Sequence, residues 1–353
     1  MLHVPVVQLN VPQAWRVGRV TFRPAGWLAG YTRGEAAPTG TAKAKFLAYA
    51  REQMDAHQTS TAEVRVRWPE KDKQSILDAA MEHVRDSVAV LLLYQRTRYP
   101  RVNTDLQQFG IHGDVGAVAQ SYTVTRGRRI IATGHRLLGI PGDWTFSRAD
   151  AVAFRNDPRF VYLDRALRAA PGRRREFQRR ALTAVRTRSL ATAMLREQLR
   201  VVLLATALEA LLAAEVQPNE RRELGEFFRI AQRASYLFCG EPDQRYPSRP
   251  PCLYLHANSK RAMVNALEDR ARRGQQPICT YFWDVFDLLE DRNQALHRAR
   301  EGFGRRQVSR HATTTEQVIL YALEWVDRTG AVALADLEAE FEAFVRGGKA
   351  TSN

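Results

Sequence analysis

Asp291-Arg292-Asn293-Gln294-Ala295-Leu296-His297 closes an apolar, aromatic-rich segment that begins at Ile278. Read as helix, the stretch sets Asn293 and His297 one turn apart on one face, and Arg292 is long enough to swing its guanidinium toward the same spot. A proton-transfer group and a fixed cation then share one small site. That pairing suits chemistry on a phosphodiester, because His takes or gives a proton near neutral pH and Arg holds a phosphate and its developing charge. Taken alone, such a string is more often a solvated helix end, where His and Arg are common. Its surroundings carry the argument further.

Those surroundings are helical. Residues 195–215 read as a mostly apolar helix in which Glu209 is the ionisable group amid Ala207-Leu208-Glu209-Ala210-Leu211-Leu212. An unpaired buried carboxylate is costly, so Glu209 requires a cation or donors, and Arg292 or His297 would serve. Residues 223–238 read as a second helix, with Arg229 and Arg233 one turn apart among Phe227, Phe228, Ile230 and Leu237. Residues 239–251, with four prolines, read as loop, and 255–273 as a third helix. The segment 278–300 follows as the motif helix, then amphipathic helices over 315–327 and 335–345, the last acidic through Asp336, Glu338, Glu340 and Glu342.

The first half has a different grain. Residues 1–22 alternate apolar and polar in short pieces, as strands do (Val4, Val6, Leu9; Val17, Val20, Phe22), 23–41 read as loop, and 42–58 as a short helix. A strand over 62–68 puts Val64, Val66 and Trp68 on one face, and a helix over 71–95 carries Ile76, Leu77, Ala80, Val84, Val88, Leu91 and Leu92 at helical spacing. Residues 109–116 are Gly-rich without the spacing of a nucleotide-binding loop and read as a turn. Strands over 121–125 and 129–133 bracket Arg126-Gly127-Arg128 as a hairpin tip that is either solvated or in contact with RNA. Residues 141–158 read as turns, with helix thereafter.

Composition bounds the partners. The 353 residues include 53 Lys+Arg against 38 Asp+Glu, a formal charge of +15, which makes a polyanion, nucleic acid first, a plausible partner. The alternative, less favoured, is an Arg-rich codon bias with no partner at all, which the dominance of Arg over Lys also fits. Between residues 161 and 200 stand eleven arginines and three acids (Asp164, Glu176 and Glu197), so over half of the excess lies there. Arg173, Arg174, Arg175, Arg179 and Arg180 form a candidate phosphate-tracking face, with Phe177 its one aromatic, so that any RNA binding there is blind to sequence. The alternative is a solvated helical connector.

The three cysteines, Cys239, Cys252 and Cys279, lack zinc-knuckle spacing and suit a reduced, cytoplasmic protein; Cys252 and His256 alone do not define a metal site. No metal or cofactor is expected. Neither an export signal nor a membrane span is read, the longest apolar run, residues 201–214, being interrupted by Thr206 and Glu209. The expected organisation is α+β overall: a mixed α/β regulatory or sensing domain over 1–160, a basic helical connector over 161–190, an all-α bundle over 191–347 and a disordered tail over 348–353.

The Glu209 helix, the helix Phe228-Arg229-Ile230-Ala231-Gln232-Arg233-Ala234 and Arg292-Asn293-Gln294-Ala295-Leu296-His297 together resemble the HEPN superfamily, in its Apea-like branch. The R-[polar]-x3-H string is the signature of that superfamily, and the resemblance covers about residues 191–330. It implies an up-and-down helical bundle that dimerises and brings two such motifs together in a basic cleft. It implies further a metal-independent endoribonuclease of toxin–antitoxin, abortive-infection or other anti-phage systems, although some relatives are non-catalytic scaffolds. The family's motif falls on Arg292, Asn293 and His297, and its frequent acidic residue on Glu209.

On this expectation His297 is the proton-transfer group, Arg292 holds the phosphate and Asn293 orients either, while Arg229 and Arg233 join the connector arginines as RNA contacts. RNA, a second copy of the chain, and a partner protein or antitoxin at the N-terminal domain are the expected partners. The alternatives are a non-catalytic module that binds nucleic acid or a partner protein and, less favoured, a toxin silenced by a neighbouring nucleotidyltransferase.

Overall fold

Strand alternation at the N-terminus builds an antiparallel sheet. The protein is described by a computed structural model over residues 2–24, 60–65, 73–100, 110–111, 120–126, 129–136, 144–194, 196–214, 226–239, 281–297 and 302–350. Strands β1 (Leu2–Val7), β3 (Trp15–Val17), β4 (Val20–Arg23), β5 (Ser60–Val64) and β6 (Gly110–Ile111) form one sheet in the order β3-β4-β5-β1-β6. Its register pairs Val4 with Ala62 and Phe22 with Ala62 on the other side of β5, and Val4, Val6, Val20, Phe22 and Val64 are buried. A short parallel pair joins β2 (Leu9–Asn10) to β9 (Trp144–Thr145). The expected hairpin is β7 (Gln120–Arg126) against β8 (Arg129–Arg136), with an irregularity at Val124/Thr125; its tip, residues 127–128, lies outside the described residues.

Helix α1 (Lys73–Arg98) is the helix expected over 71–95 and buries Val84, Val88, Leu91 and Leu92. The turns expected over 141–158 are in part a helix, α2 (Arg148–Asn156), followed by α3 (Pro158–Arg168). The local chemistry is explicit: Ser147 and Asp150 form a reciprocal capping box, Asp157 caps α3, and Pro158 occupies its first turn, where a missing N–H costs nothing. Trp15 stacks on Phe146 at 3.9 Å between ring centroids, and Tyr94, Phe154 and Phe160 extend the cluster.

Among the described residues the remaining helices are α4 (Glu176–Ala193), after a 3-10 turn at Pro171–Arg173, then α5 (Glu197–Leu212), α6 (Glu226–Cys239), α7 (Tyr281–His297), α8 (Arg305–Thr329) and α9 (Leu334–Ala350). Each of α5, α6, α7 and α8 packs against the other three, a four-helix core, with α9 against α6. Gly330 ends α8 in the left-handed region, as a helix C-terminus favours. The fold is therefore α+β, mostly helical with a small N-terminal sheet. Helix α9 runs to Ala350, into the tail expected from 348, and the helices expected over 42–58 and 255–273 lie outside the described residues.

The chain divides into two compact units, Met1–Ala170 with Thr192–Leu195, and Pro171–Ala191 with Arg196–Asn353. Within the stretch 161–190, α3 belongs to the first unit and most of α4 to the second. In α4, Phe177 packs near Trp325 and its N–H bonds to the Val332 carbonyl. Charge counting cannot see this, because apolar Phe177, Ala181, Ala184 and Val185 are what bury the helix. Among the described residues no helix is long and apolar enough to cross a membrane.

Candidate functional site

Helix α7 is apolar through Tyr281, Phe282, Val285, Phe286, Leu288, Leu289 and Ala295, all buried, so its rotation is fixed by the core. Its last two turns then aim polar side chains in three directions. Asp291 faces α8, where its carboxylate is 2.8 Å from His311 Nε2 and accepts from Gln307. Arg292, a hundred degrees on by helical geometry, faces α5 and the start of α6. Glu290, Asn293, Gln294 and His297 line an open depression of about 260 Å³.

Arg292 is held on several sides. Nη2 lies 3.6 Å from Glu209 Oε2, Nη1 donates to Asn293 Oδ1 at 3.2 Å, and the guanidinium carbon stands 5.9 Å from the Phe227 ring centroid. Nε is buried with no hydrogen-bond partner among the described residues. Burial pushes the Glu209 carboxyl above its ordinary range; the Arg292 charge opposes that rise and the Glu226 charge adds to it. A second anion brought to Arg292 would further favour protonated Glu209, so the pair can yield to a phosphate. Asn293 is the link between the two halves of the motif, bonded to Arg292 and sharing the open face with exposed His297.

The other arginines separate. Arg233 is buried and its guanidinium meets Glu226, Glu338 and the Leu212 carbonyl, so this expected RNA contact is an internal tie among α5, α6 and α9. Arg229 is half-buried one turn earlier. Arg180 pairs with Glu176 and donates to the Ala210 and Ala213 carbonyls, where it satisfies the C-terminal end of α5. Arg173, Arg175 and Arg179 are exposed; Arg174 is half-buried.

Two features go beyond the sequence expectation. Glu290 and Gln294 join Asn293 and His297 in an i, i+3, i+4, i+7 stripe, a spacing visible in the sequence. The Asp291–His311 contact joins residues twenty apart on different helices and has no local signal. Burial holds the His311 pKa below its usual value, against the raising effect of Asp291.

No family model matches the sequence, and neither a curated protein nor a solved structure is significantly similar to it.

Proposed function

We propose that residues 191–347 are an HEPN-type domain and that the chain is a metal-independent endoribonuclease, a cytoplasmic toxin or anti-phage effector that works as a homodimer. The observation that carries this reading is Asn293, which is bonded to Arg292 and lines the same open depression as His297, with Glu209 opposite Arg292. The packing of α5, α6, α7 and α8 on one another supports it as well.

In the proposed reaction His297 removes the proton from a ribose 2′-hydroxyl, whose oxygen attacks the adjacent phosphorus. The bond from phosphorus to the 5′-oxygen breaks, and that oxygen takes a proton from the imidazolium of the second copy. Arg292 stabilises the charge on the pentacoordinate phosphate, and Asn293 keeps the guanidinium aimed. The products are a 2′,3′-cyclic phosphate and a 5′-hydroxyl. The N-terminal unit is assigned the sensing or restraining role.

The test is an RNA oligonucleotide incubated with the purified chain in EDTA, beside the same oligonucleotide with 2′-deoxyribose throughout. The reading requires cleavage of the first alone, with cyclic phosphate ends; cutting of both, or loss of activity on chelation, overturns it. The Arg292–Glu209 pair favours a second reading, a non-catalytic HEPN module that binds nucleic acid or a partner protein. That reading requires intact RNA in the same assay.

A further inference from the structure

Several arginines of the helical unit serve the fold: Arg180, Arg188 and Arg233 all have internal partners. Arg196, Arg305 and Arg306 are exposed, and among the described residues none of their side chains makes a hydrogen bond or ion pair.

All three stand where a cation is least favourable to a helix. Arg196 is the N-cap of α5, and Arg305 and Arg306 are the first two residues of α8. Unpaired backbone N–H groups and the helix dipole already make these ends positive. Neither start has a side-chain cap, and α8 has no acid in its first turn; Glu197 is the acid in that of α5. Positive side-chain charge at these ends opposes the helix dipole.

Both starts lie at the end of the bundle where α7 finishes. Gln198, two residues after Arg196, donates to the Ala295 carbonyl at 2.9 Å, two residues before His297. Gln307, next to Arg306, bonds to Asp291. Of the arginines over 171–180, Arg180 is tied to the Ala210 and Ala213 carbonyls at the end of α5 that also carries Glu209.

We propose that Arg196, Arg305 and Arg306, on the starts of α5 and α8, form the phosphate-binding surface that leads an RNA strand to His297. Arginine forks grip phosphate oxygens in two places at once and carry no base preference. The inference rests on the reading of the His297 site as one that acts on RNA, and it moves the binding surface away from residues 171–180.

The experiment measures the affinity of a fluorescent single-stranded RNA for the full chain carrying His297→Ala, which separates binding from cleavage. Arg305→Glu with Arg306→Glu in that background is expected to weaken binding by about tenfold or more and to flatten its salt dependence by about one to two phosphates' worth. Arg196→Glu weakens it in the same direction, whereas Arg173→Glu with Arg175→Glu has the smaller effect. Circular dichroism melts confirm that the exposed substitutions leave the fold intact. Unchanged affinity in the Arg305/Arg306 variant, or a larger loss from Arg173/Arg175, overturns this surface even if the wild-type chain cleaves RNA. A variant that loses RNA binding while the wild-type chain leaves RNA uncut upholds the surface and overturns the nuclease.

Discussion

Arg292 and Glu209 face each other across α7 and α5 at 3.6 Å, each side chain about a quarter exposed. The pair is neither sealed in the core nor lost in solvent, so its balance responds to protonation and to ligands. Burial raises the Glu209 pKa above 4.5 despite Arg292. A carboxyl whose folded value is raised contributes stability below its unfolded pKa and loses it as pH rises through the folded value. Relative to Glu209→Gln, the wild-type chain is expected to lose stability between about pH 4 and about pH 7. Urea midpoints of both proteins at the two pH values check this, and a difference that grows in favour of the wild type toward neutrality counts against it.

The buried ion pair of Arg188 in α4 with Glu316 in α8 makes a harder structural claim. Both side chains are nearly inaccessible, at 3% and 8%. Glu316→Ala leaves a buried guanidinium charge without its partner and is expected to cost about 3–5 kcal/mol. Arg188→Leu combined with Glu316→Leu costs less than the sum of the single changes, because no lone charge remains. Chemical denaturation of the four proteins in this cycle gives the answer; additive losses would mean that the two residues do not act as a pair.

Gly18 tests the packing of the first unit. Its φ is +59°, its N–H donates to Asp164 Oδ1 at 2.7 Å, and an added Cβ would stand 2.4 Å from the Leu167 Cβ. Gly18→Ala combines left-handed strain with a clash against a buried side chain, and is expected to destabilise by about 2–4 kcal/mol. A thermal melt that shifts by less than the error of measurement would contradict the close approach of α3 to this turn.

His311 gives a pH signature of the opposite sign. Its pKa is lowered from 6.5, first by burial, so its contribution is present above that value and is lost as pH falls through the lowered one. His311→Gln keeps a donor for Asp291 but cannot be protonated, and the variant is expected to lose less stability than the wild type between about pH 7 and about pH 5. Parallel acid-side losses in both proteins would contradict the assignment.

What the sequence made legible, and what it hid, follows from the range of the forces. Period and propensity act locally, which is why the strands within 1–22 and the helix over 71–95 could be read from Val4, Val6, Val84 and Val88. The pairing of Glu209 with a cation was legible too, because the cost of burying a lone carboxylate demands one, and Arg292 supplies it. The capping box at Ser147 and Asp150 was a local signal left unread behind the many turn-forming residues of 141–158. Arg233 and Arg180 were beyond reach: nothing in their neighbours tells an arginine that meets solvent from one that closes a helix end or joins Glu338 across the bundle. Charge can be counted from sequence, but its direction is set by packing.

His297 is proposed to move the proton in RNA cleavage. The direct measurement is the initial rate of cleavage of a labelled RNA by the wild-type chain and by His297→Ala, both in EDTA and matched by circular dichroism and melting temperature. Since His297 is exposed at the end of α7, the substitution should leave the fold unchanged. His297→Ala is expected to cleave more slowly by about a hundredfold or more, in the range of a lost general acid–base group. Cleavage by His297→Ala at the wild-type rate, or no cleavage by the wild-type chain, would contradict it.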